Sequence, residues 1–401
     1  MEVREVKLGD IITYNKGYAF KSNEYANKGK MVVRVTDFTL DSISDNDAVY
    51  VAPEDKYRKF IINTGDILIQ TVGSWANNPN SIVGKVVRVP AKCDNTYLNQ
   101  NIVRIIPNKD FNNTYLYYSL KANNFSLYCV LRGQGAANQA SITLDTIFRF
   151  KFRAHSFSEQ KRIADILSAY DKLIENNNKR IKLLEQMAEN LYKEWFVRFR
   201  FPGYENTEFE EKKPRGWKVG TEDKNRFAPT IFKYDEFGTI GSFVRGKNIT
   251  AAQMIEGNIP VISAGLQPSG YHNEANVFGE NLTISASGAN AGYLQYNLND
   301  IWAADCSYYQ NDATIWFVYN TLKYLQPVIS NLQCGAAQPH VYPKNINRLC
   351  VLIPTEELIH KYNDSVKPYY DEIKVLNQHN QLLTQQRDLL LPRLMSGKLE
   401  V

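Results

Sequence analysis

The side chains of this sequence that could do chemistry cluster in glycine-bearing loops. Arg132, Gln134, Asn138 and Gln139 surround Gly133 and Gly135, and Gln338 and His340 follow Gly335. Guanidinium and carboxamide groups make directional hydrogen bonds but break no covalent bonds. Arrangements that would break them are missing from the sequence. Ser285 and Ser287 lie near His272, yet no G-x-S-x-G elbow frames them, and they read as loop serines. Glu54-Asp55-Lys56 beside Pro53 has no nuclease spacing and reads as a turn. No G-x-x-x-x-G-K-[ST] loop is present, and the glycines at 279 and 288 do not space as a dinucleotide loop. Five cysteines, at 93, 129, 306, 334 and 350, form no C-x-x-C, and five scattered histidines offer no ligand spacing. Reduced thiols and no metal are the expectation.

The elements that must position these loops follow from length and pattern. A chain of 401 residues, 44% hydrophobic and 22% charged, is a soluble globular sequence of two or three domains. Its 47 basic and 42 acidic side chains give +5, which is compatible with nucleic acid but does not argue for it. Met1-Glu2-Val3-Arg4-Glu5 has no apolar signal region and no run approaches a membrane span, so a cytoplasmic location is expected. Residues 1–157 read as a mixed domain. Its β-rich runs are Met31–Thr36, Asp66–Val72, Ser81–Val89 and Asn101–Ile106, followed by a helix near Phe111–Val130 and an aromatic strand at Ile147–Phe152.

A helix over residues 158–200 follows, with Ser158 as its expected N-cap. Ile163, Leu167, Tyr170, Ile174, Asn177, Ile181, Leu184, Ala188, Leu191 and Trp195 alternate in steps of four and three. A mean spacing of 3.5 is a coiled-coil seam, on a rod roughly 50 Å long at about 1.5 Å per residue. Such a helix needs a partner. Residues 201–354 hold a linker and a second domain. Its apolar runs are Ile259–Ala264, Asn281–Ala286 and Thr314–Tyr319, with a helix near Asn320–Leu332 and a strand at Arg348–Ile353. Residues 355–401 then carry a matching seam: Ile359, Tyr362, Val366, Tyr369, Ile373, Leu376, Asn380, Leu383, Arg387, Leu390 and Leu394. Pro368 lies inside it and predicts a kink or restart.

The halves share a grammar. Gly135-Ala136-Ala137 answers Gly335-Ala336-Ala337, Gln139-x-x-Ile142 answers Gln338-x-x-Val341, and Ser119-Leu120-Lys121 answers Thr321-Leu322-Lys323. This is an internal repeat of domain plus long helix. The fold class is α+β: two tandem domains and two long helices forming an antiparallel coiled coil, with pseudo-two-fold symmetry. Asn177 opposite Asn380 would lock the register, because each buried amide needs the other. That register sets Ile163 against Leu394, Leu167 against Leu390, Ile174 against Leu383, Leu184 against Ile373, Ala188 against Tyr369 and Tyr170 against Arg387.

Several stretches resemble the specificity subunit of type I restriction–modification systems. They are Ser158-Glu159-Gln160-Lys161-Arg162-Ile163-Ala164, Lys193-Glu194-Trp195-Phe196-Val197, Lys213-Pro214-Arg215-Gly216-Trp217-Lys218-Val219 and Leu389-Leu390-Leu391-Pro392-Arg393-Leu394-Met395-Ser396-Gly397-Lys398-Leu399. The two Gly-Ala-Ala loops are similar to those that end each of the family's target recognition domains. The resemblance implies two such domains, each reading half of a split target in double-stranded DNA, with the helices setting the gap. It implies two adenine-N6 methyltransferase subunits as partners, and an ATP-dependent motor–nuclease subunit for restriction. No chemistry is expected in this chain, so no cofactor is either. S-adenosylmethionine, ATP and Mg are expected only on the partners, in line with the missing Pro-Pro-Tyr or Pro-Pro-Phe and Phe-x-Gly-x-Gly motifs.

Asn and Gln can bond adenine edges, and Arg and Lys can bond guanine or phosphate. The DNA-binding candidates are therefore Lys16, Tyr18, Lys21, Ser74, Asn77, Asn78, Arg132, Gln134 and Asn138 in the first domain. In the second they are Arg245, Lys247, Asn248, Ser287, Asn290, Tyr308, Gln310 and His340. Ile166, Leu173, Leu183 and Phe196, beside the seam, are candidates to dock the methyltransferase. The alternatives are a stand-alone two-headed DNA-binding protein and a coiled-coil adaptor without catalytic partners.

Overall fold

The structure, a computed structural model, describes residues 3–39, 41–75, 81–122, 124–136, 139–212, 226–334 and 339–400. It divides into two compact units. The first is Met1–Asn176 with Asn380–Val401, and the second is Asn177–His379.

The first unit is built around strand Ile67–Gln70, which is buried along its whole length. Successive side chains of a strand point to opposite faces. Ile67 and Ile69 accordingly join one core with Val103 and Ile105, while Leu68 joins another with Val87 and Ile102. The strand lies in an antiparallel sheet of order Ile12–Lys16, Ile102–Pro107, Ile67–Gln70, Val86–Arg88. A neighbouring mixed sheet pairs Lys30–Val33 in parallel with Thr96–Leu98. Val3–Lys7 closes against Lys151–His155.

The second unit repeats this plan. Its four-stranded antiparallel sheet runs Val244–Arg245, Cys306–Tyr309, Asn281–Ser285, Leu294–Asn297. Ile259–Ile262 lies parallel to Trp302–Ala303, and Lys233–Glu236 closes against Cys350–Ile353. Backbone bonds match one by one. Ile142 N–H donates to Thr71 O at 2.9 Å, as Val341 N–H does to Ala286 O at 3.0 Å. Gly84 and Gly292 are left-handed at φ +78 and +88, and their N–H groups reach Gln70 O and Ser285 O. The pairing of Gln139-x-x-Ile142 with Gln338-x-x-Val341 thus has a structural basis at Ile142 and Val341.

The first long helix spans Phe157–Tyr192 and ends in a π turn at Lys193–Val197. The second spans Glu356–Met395. In the first unit, Ile163, Ala164 and Leu167 share a core with Leu391, Leu394 and Met395. In the second unit, Ala188, Tyr192 and Trp195 share one with Tyr362, Val366, Tyr370 and Ile373. The helices therefore pair antiparallel within each unit.

Several sequence readings need correction. The first long helix is capped from Ser156, not Ser158: Ser156 N–H and Oγ donate to Glu159 Oε2 at 3.2 and 2.8 Å, and Gln160 N–H donates to Ser156 O. The second runs unbroken through Pro368, whose missing bond falls on the exposed side. The apolar run Thr314–Tyr319 is the start of helix Ile315–Tyr324, which begins before the helix expected near Asn320. The helix near Phe111–Val130 is two, Asn113–Ala122 and Phe125–Arg132, parted by Asn124 at φ +50. The strand placed at Ile147–Phe152 begins later, at Lys151, after helix Leu144–Phe148. Arg387, expected to stack on Tyr170, gives its guanidinium to Asp171 at 2.7 Å and Asp41 at 3.2 Å. The carbonyl of Ala188, expected opposite Tyr369, accepts from Tyr362 Oη at 2.9 Å.

Candidate nucleic-acid interface

In each unit a glycine lets the first strand of the main sheet cross close to the loop beside it. Gly17 N–H donates to Ile102 O at 3.2 Å and Tyr18 N–H to Leu98 O at 2.8 Å. Gly246 and Lys247 repeat this with Cys306 O and Ala303 O, both at 2.9 Å. A Cβ at Gly17 would strike the Asn99 carbonyl, and one at Gly246 the carbonyls of Ala303 and Ala304. The paired turns thus hold Lys16 and Tyr18 in one unit and Arg245 and Lys247 in the other.

In the first unit, strand Gln139–Ser141 joins Gln134–Ala136 to Val72–Gly73. That pairing brings Gln134 to the loop that starts at Ser74, with exposed Arg132 preceding the hairpin. The Arg132 guanidinium lies over the Tyr128 ring at 4.1 Å, a contact that orients a planar cation without neutralising it. Ser74 and Ser81 close the base of their loop through backbone bonds and a 2.9 Å hydroxyl contact. Buried Gln70, which the sequence reading passed over, fastens the same loop by donating from Nε2 to Ser81 O at 2.8 Å. Lys16 and Lys21 are exposed, and Glu24 accepts from the Lys21 backbone N–H at 2.7 Å. Tyr18 differs. Its ring is half-buried within 5.0–5.2 Å of Phe20, Tyr57 and Phe60, so it supports the turn rather than stacking on a base. Asn77, Asn78 and Asn138 lie outside the described residues, as do Gln338 and the glycine loop before it.

In the second unit the organising residue is Asp305, again missed from sequence. It accepts from the Arg245 guanidinium and from Ser287 Oγ. Ser287 is therefore a buried structural hydroxyl, not a base reader. The residue bridges to His340, and Gly288 N–H donates to Pro339 O at 3.0 Å. His340 stacks on Tyr342 at 5.9 Å. Lys247 and Asn248 are exposed. The Lys247 ammonium sits 5.9 Å over the Trp302 ring, and Trp302 Nε1–H donates to Lys247 O at 2.8 Å. Gln310 bonds the Phe278 carbonyl, and Asn290 Nδ2 reaches Ala264 O at 3.5 Å. Tyr308 is half-buried against Ile262 and Val277 and is excluded as a free reader. Each unit thus gathers cations and amides on loops around one end of its main sheet. Such a surface can bond phosphates and base edges.

Of the four docking candidates, Ile166, Leu173 and Leu183 are 37, 51 and 59% exposed. Phe196 is 7% exposed and is corrected to a core residue: its ring packs on Phe317 at 4.9 Å and Tyr362 at 5.2 Å. Among the described residues, no helix is long and apolar enough to cross a membrane, and no group of three His, Cys, Asp or Glu could hold a metal ion.

A family model described as "Type I restriction modification DNA specificity domain" matches residues 1–186 and 230–385. The specificity subunit of type I restriction enzyme MjaIX of Methanocaldococcus jannaschii is 27% identical over 320 residues, 76% of this chain and 73% of that protein. The putative MjaX specificity subunit of the same organism is 24% identical over 420 residues, 100% of this chain and 94% of the relative. The crystal structure of a type I system S subunit from M. genitalium matches with a TM-score of 0.54 at 18% identity, covering 98% of this chain and 96% of that one.

Proposed function

From the premise that this chain belongs to the type I restriction–modification DNA specificity family, we propose that each unit reads one half of a bipartite DNA target for partner enzymes. The observation that carries this reading is the duplicated sheet, with a glycine-set turn and a loop cluster at matching places in each unit. Arg132, Gln134, Lys16 and Lys21 are the reading set of the first unit. Arg245, Lys247, Asn248, Gln310 and His340 are that of the second. The chain performs no reaction and holds no cofactor; methyl transfer from S-adenosylmethionine and ATP-driven cleavage belong to partner subunits.

Two methyltransferase copies dock partly on the long helices. In support, Ile166 and Leu173 expose apolar groups at a step of seven, and Val375, Leu382 and Leu389 do the same on the second helix. Helices of a partner recognise this spacing as a seam. Asn177 belongs to the second unit and Asn380 to the first; their role as a register lock is part of the proposal. Co-expression with the methyltransferase subunit encoded beside this chain, followed by mapping of N6-methyladenine in host DNA, tests the reading. A split motif methylated on both strands is expected. An unmodified genome with both proteins soluble rejects it.

A further inference from the structure

The stretch Glu54-Asp55-Lys56, a turn by sequence, leads into a short 3₁₀ helix, Asp55–Phe60, whose last turn carries Arg58 and Lys59. Three contacts fix that turn beside the Gly17 turn of the first unit. The Tyr18 ring lies 5.2 Å from Phe60 and 5.1 Å from Tyr57, and Arg104 Nη1 donates to Ile61 O at 2.9 Å, which ties the helix end to the main sheet. Tyr57 is fully buried, and Phe20 and Tyr97 pack around it at 5.1 and 5.5 Å. Arg58 and Lys59 thus stand on a packed aromatic floor, not on a loose loop.

The charges on this floor are not balanced. Lys56 lies over Tyr57 and takes both nearby glutamates, Glu24 at 3.4 Å and Glu54 at 3.0 Å. Asp55 is the helix's own carboxylate, in its first turn. Arg58 and Lys59 are exposed, as are Lys16 and Lys21, and among the described residues none of the four joins an ion pair. The Lys59 ammonium lies 5.1 Å over the Phe60 ring, which orients it and leaves its charge. Cations clustered on a rigid surface attract phosphate, and a helix without an amide has little with which to tell bases apart.

The repeat supplies a contrast. Tyr97 pairs in parallel with Val32 as Trp302 does with Val261, and beside them Ile62 pairs with Thr96 as Val277 bridges to Ile301. Two residues further on, Thr64 N–H donates to Asp94 Oδ1 at 2.8 Å as Gly279 N–H does to Asp300 Oδ1 at 2.7 Å. Counted back from these matches, Arg58 and Lys59 correspond to Asn273 and Glu274, which are also exposed. A carboxylate at that place repels phosphate. We propose that Arg58 and Lys59 hold backbone phosphates of the DNA at the half-site read by the first unit, a contact that Asn273 and Glu274 withhold in the second. The inference rests on the functional reading above and deepens it: the two halves of the target are gripped unequally, and the first grip is the more salt-sensitive.

The test uses the full chain co-purified with its operon methyltransferase and a duplex carrying the motif found by methylome mapping, with affinity measured against salt. The double variant Arg58→Gln, Lys59→Gln is expected to flatten the plot of log affinity against log salt by about one unit of slope per cation removed, with the methylated motif unchanged. Phosphate-ethylation interference should weaken at one half-site only. Glu274→Lys, which adds a cation at the matching place, should steepen the plot by about one unit. A slope unchanged in the double variant or in Glu274→Lys overturns the proposal and leaves the functional reading intact. A double variant that methylates a relaxed motif also overturns it, in favour of base reading. So does one that keeps its DNA affinity and loses methyltransferase, in favour of a protein contact. An unaltered complex that binds the motif duplex no more tightly than a scrambled one overturns both.

Discussion

The two units share a backbone plan and fasten their recognition domains to the long helices by opposite chemistries. In the first unit the fastening is ionic. Asp171 on the first helix accepts from Arg387 at 2.7 Å, from Tyr118 at 2.5 Å and from Arg88 at 3.5 Å, while Asp41 accepts from Arg387 and Lys121. Burial raises the Asp41 carboxyl, but Lys121 and Arg387 outweigh it and hold the group below its usual range. In the second unit the fastening is mainly aromatic, with Glu185 and Glu189 of the first helix adding a hydrogen bond from Tyr296 Oη at 2.6 Å and an ion pair with Lys323 at 3.0 Å. Trp316 stacks on Tyr370 at 3.5 Å with an interplanar angle of 2°, Tyr296 packs across both, and Asn320 Nδ2 donates to Tyr370 Oη at 3.1 Å. Ring packing involves no titrating group, while a buried ion pair fails badly if one partner is lost. A repeat can thus keep its topology while each copy chooses its own interior chemistry.

The largest expected effect comes from breaking the aromatic side. Trp316→Ala should cost the second unit about 3–5 kcal/mol, by cavity formation beneath Tyr370. Calorimetry would show the loss as an early transition, and a cost below about 1 kcal/mol would mean the stack is incidental. Next is the ionic side. Arg387→Ala leaves Asp171 without its nearest cation and Asp41 with Lys121 alone, and should cost the first unit roughly 2–4 kcal/mol, discounted for the exposure of Asp41. Adding Asp171→Asn should recover part of that loss; a strictly additive double variant would show that no coupled clamp exists.

Smaller effects sharpen the comparison at the DNA. Arg132→Ala should cost about 1–3 kcal/mol of discrimination and relax only the half-site read by the first unit. Methylome mapping that shows both halves relaxed would separate reading from general affinity. The smallest effect is acid sensitivity. Burial lowers the His155 pKa below 6.5, so its neutral form stabilises the fold above that value and the contribution is lost as pH falls beneath it. The first unit should therefore lose stability as pH falls below 6.5. His155→Gln should flatten that dependence, and an unchanged pH profile of thermal unfolding would place the sensitivity elsewhere.

The long helices were legible because partial burial leaves a period: Ile163, Leu167, Tyr362, Val366 and Ile373 are buried and the positions between them mostly are not. The start of helix Ile315–Tyr324 was legible only as an apolar run, because its residues from Ile315 to Leu322 are buried on every side, which erases the period. Ser156 could have been found, since Ser-x-x-Glu ending at Glu159 is a capping signature, as Ser158-x-x-Lys161 is not. The interface was half legible. Exposed Arg132, Gln134 and Lys247 follow from type and loop position, but Ser287 and Tyr18 look identical in sequence to free readers until packing claims them. Asp305 escaped because an acidic residue is not sought on a surface meant for DNA, and only geometry shows it steadying Arg245.

The first unit is discontinuous, completed by residues from Asn380 onward. Leu391, Leu394 and Met395 finish the core that Val6 and Leu8 begin. During synthesis, the first unit's recognition domain must therefore wait for residues 391–395 to leave the ribosome before its hydrophobic interior can close. A chain interrupted before Leu391 would then lose the core of the N-terminal reader, although the interruption lies more than two hundred residues beyond that domain.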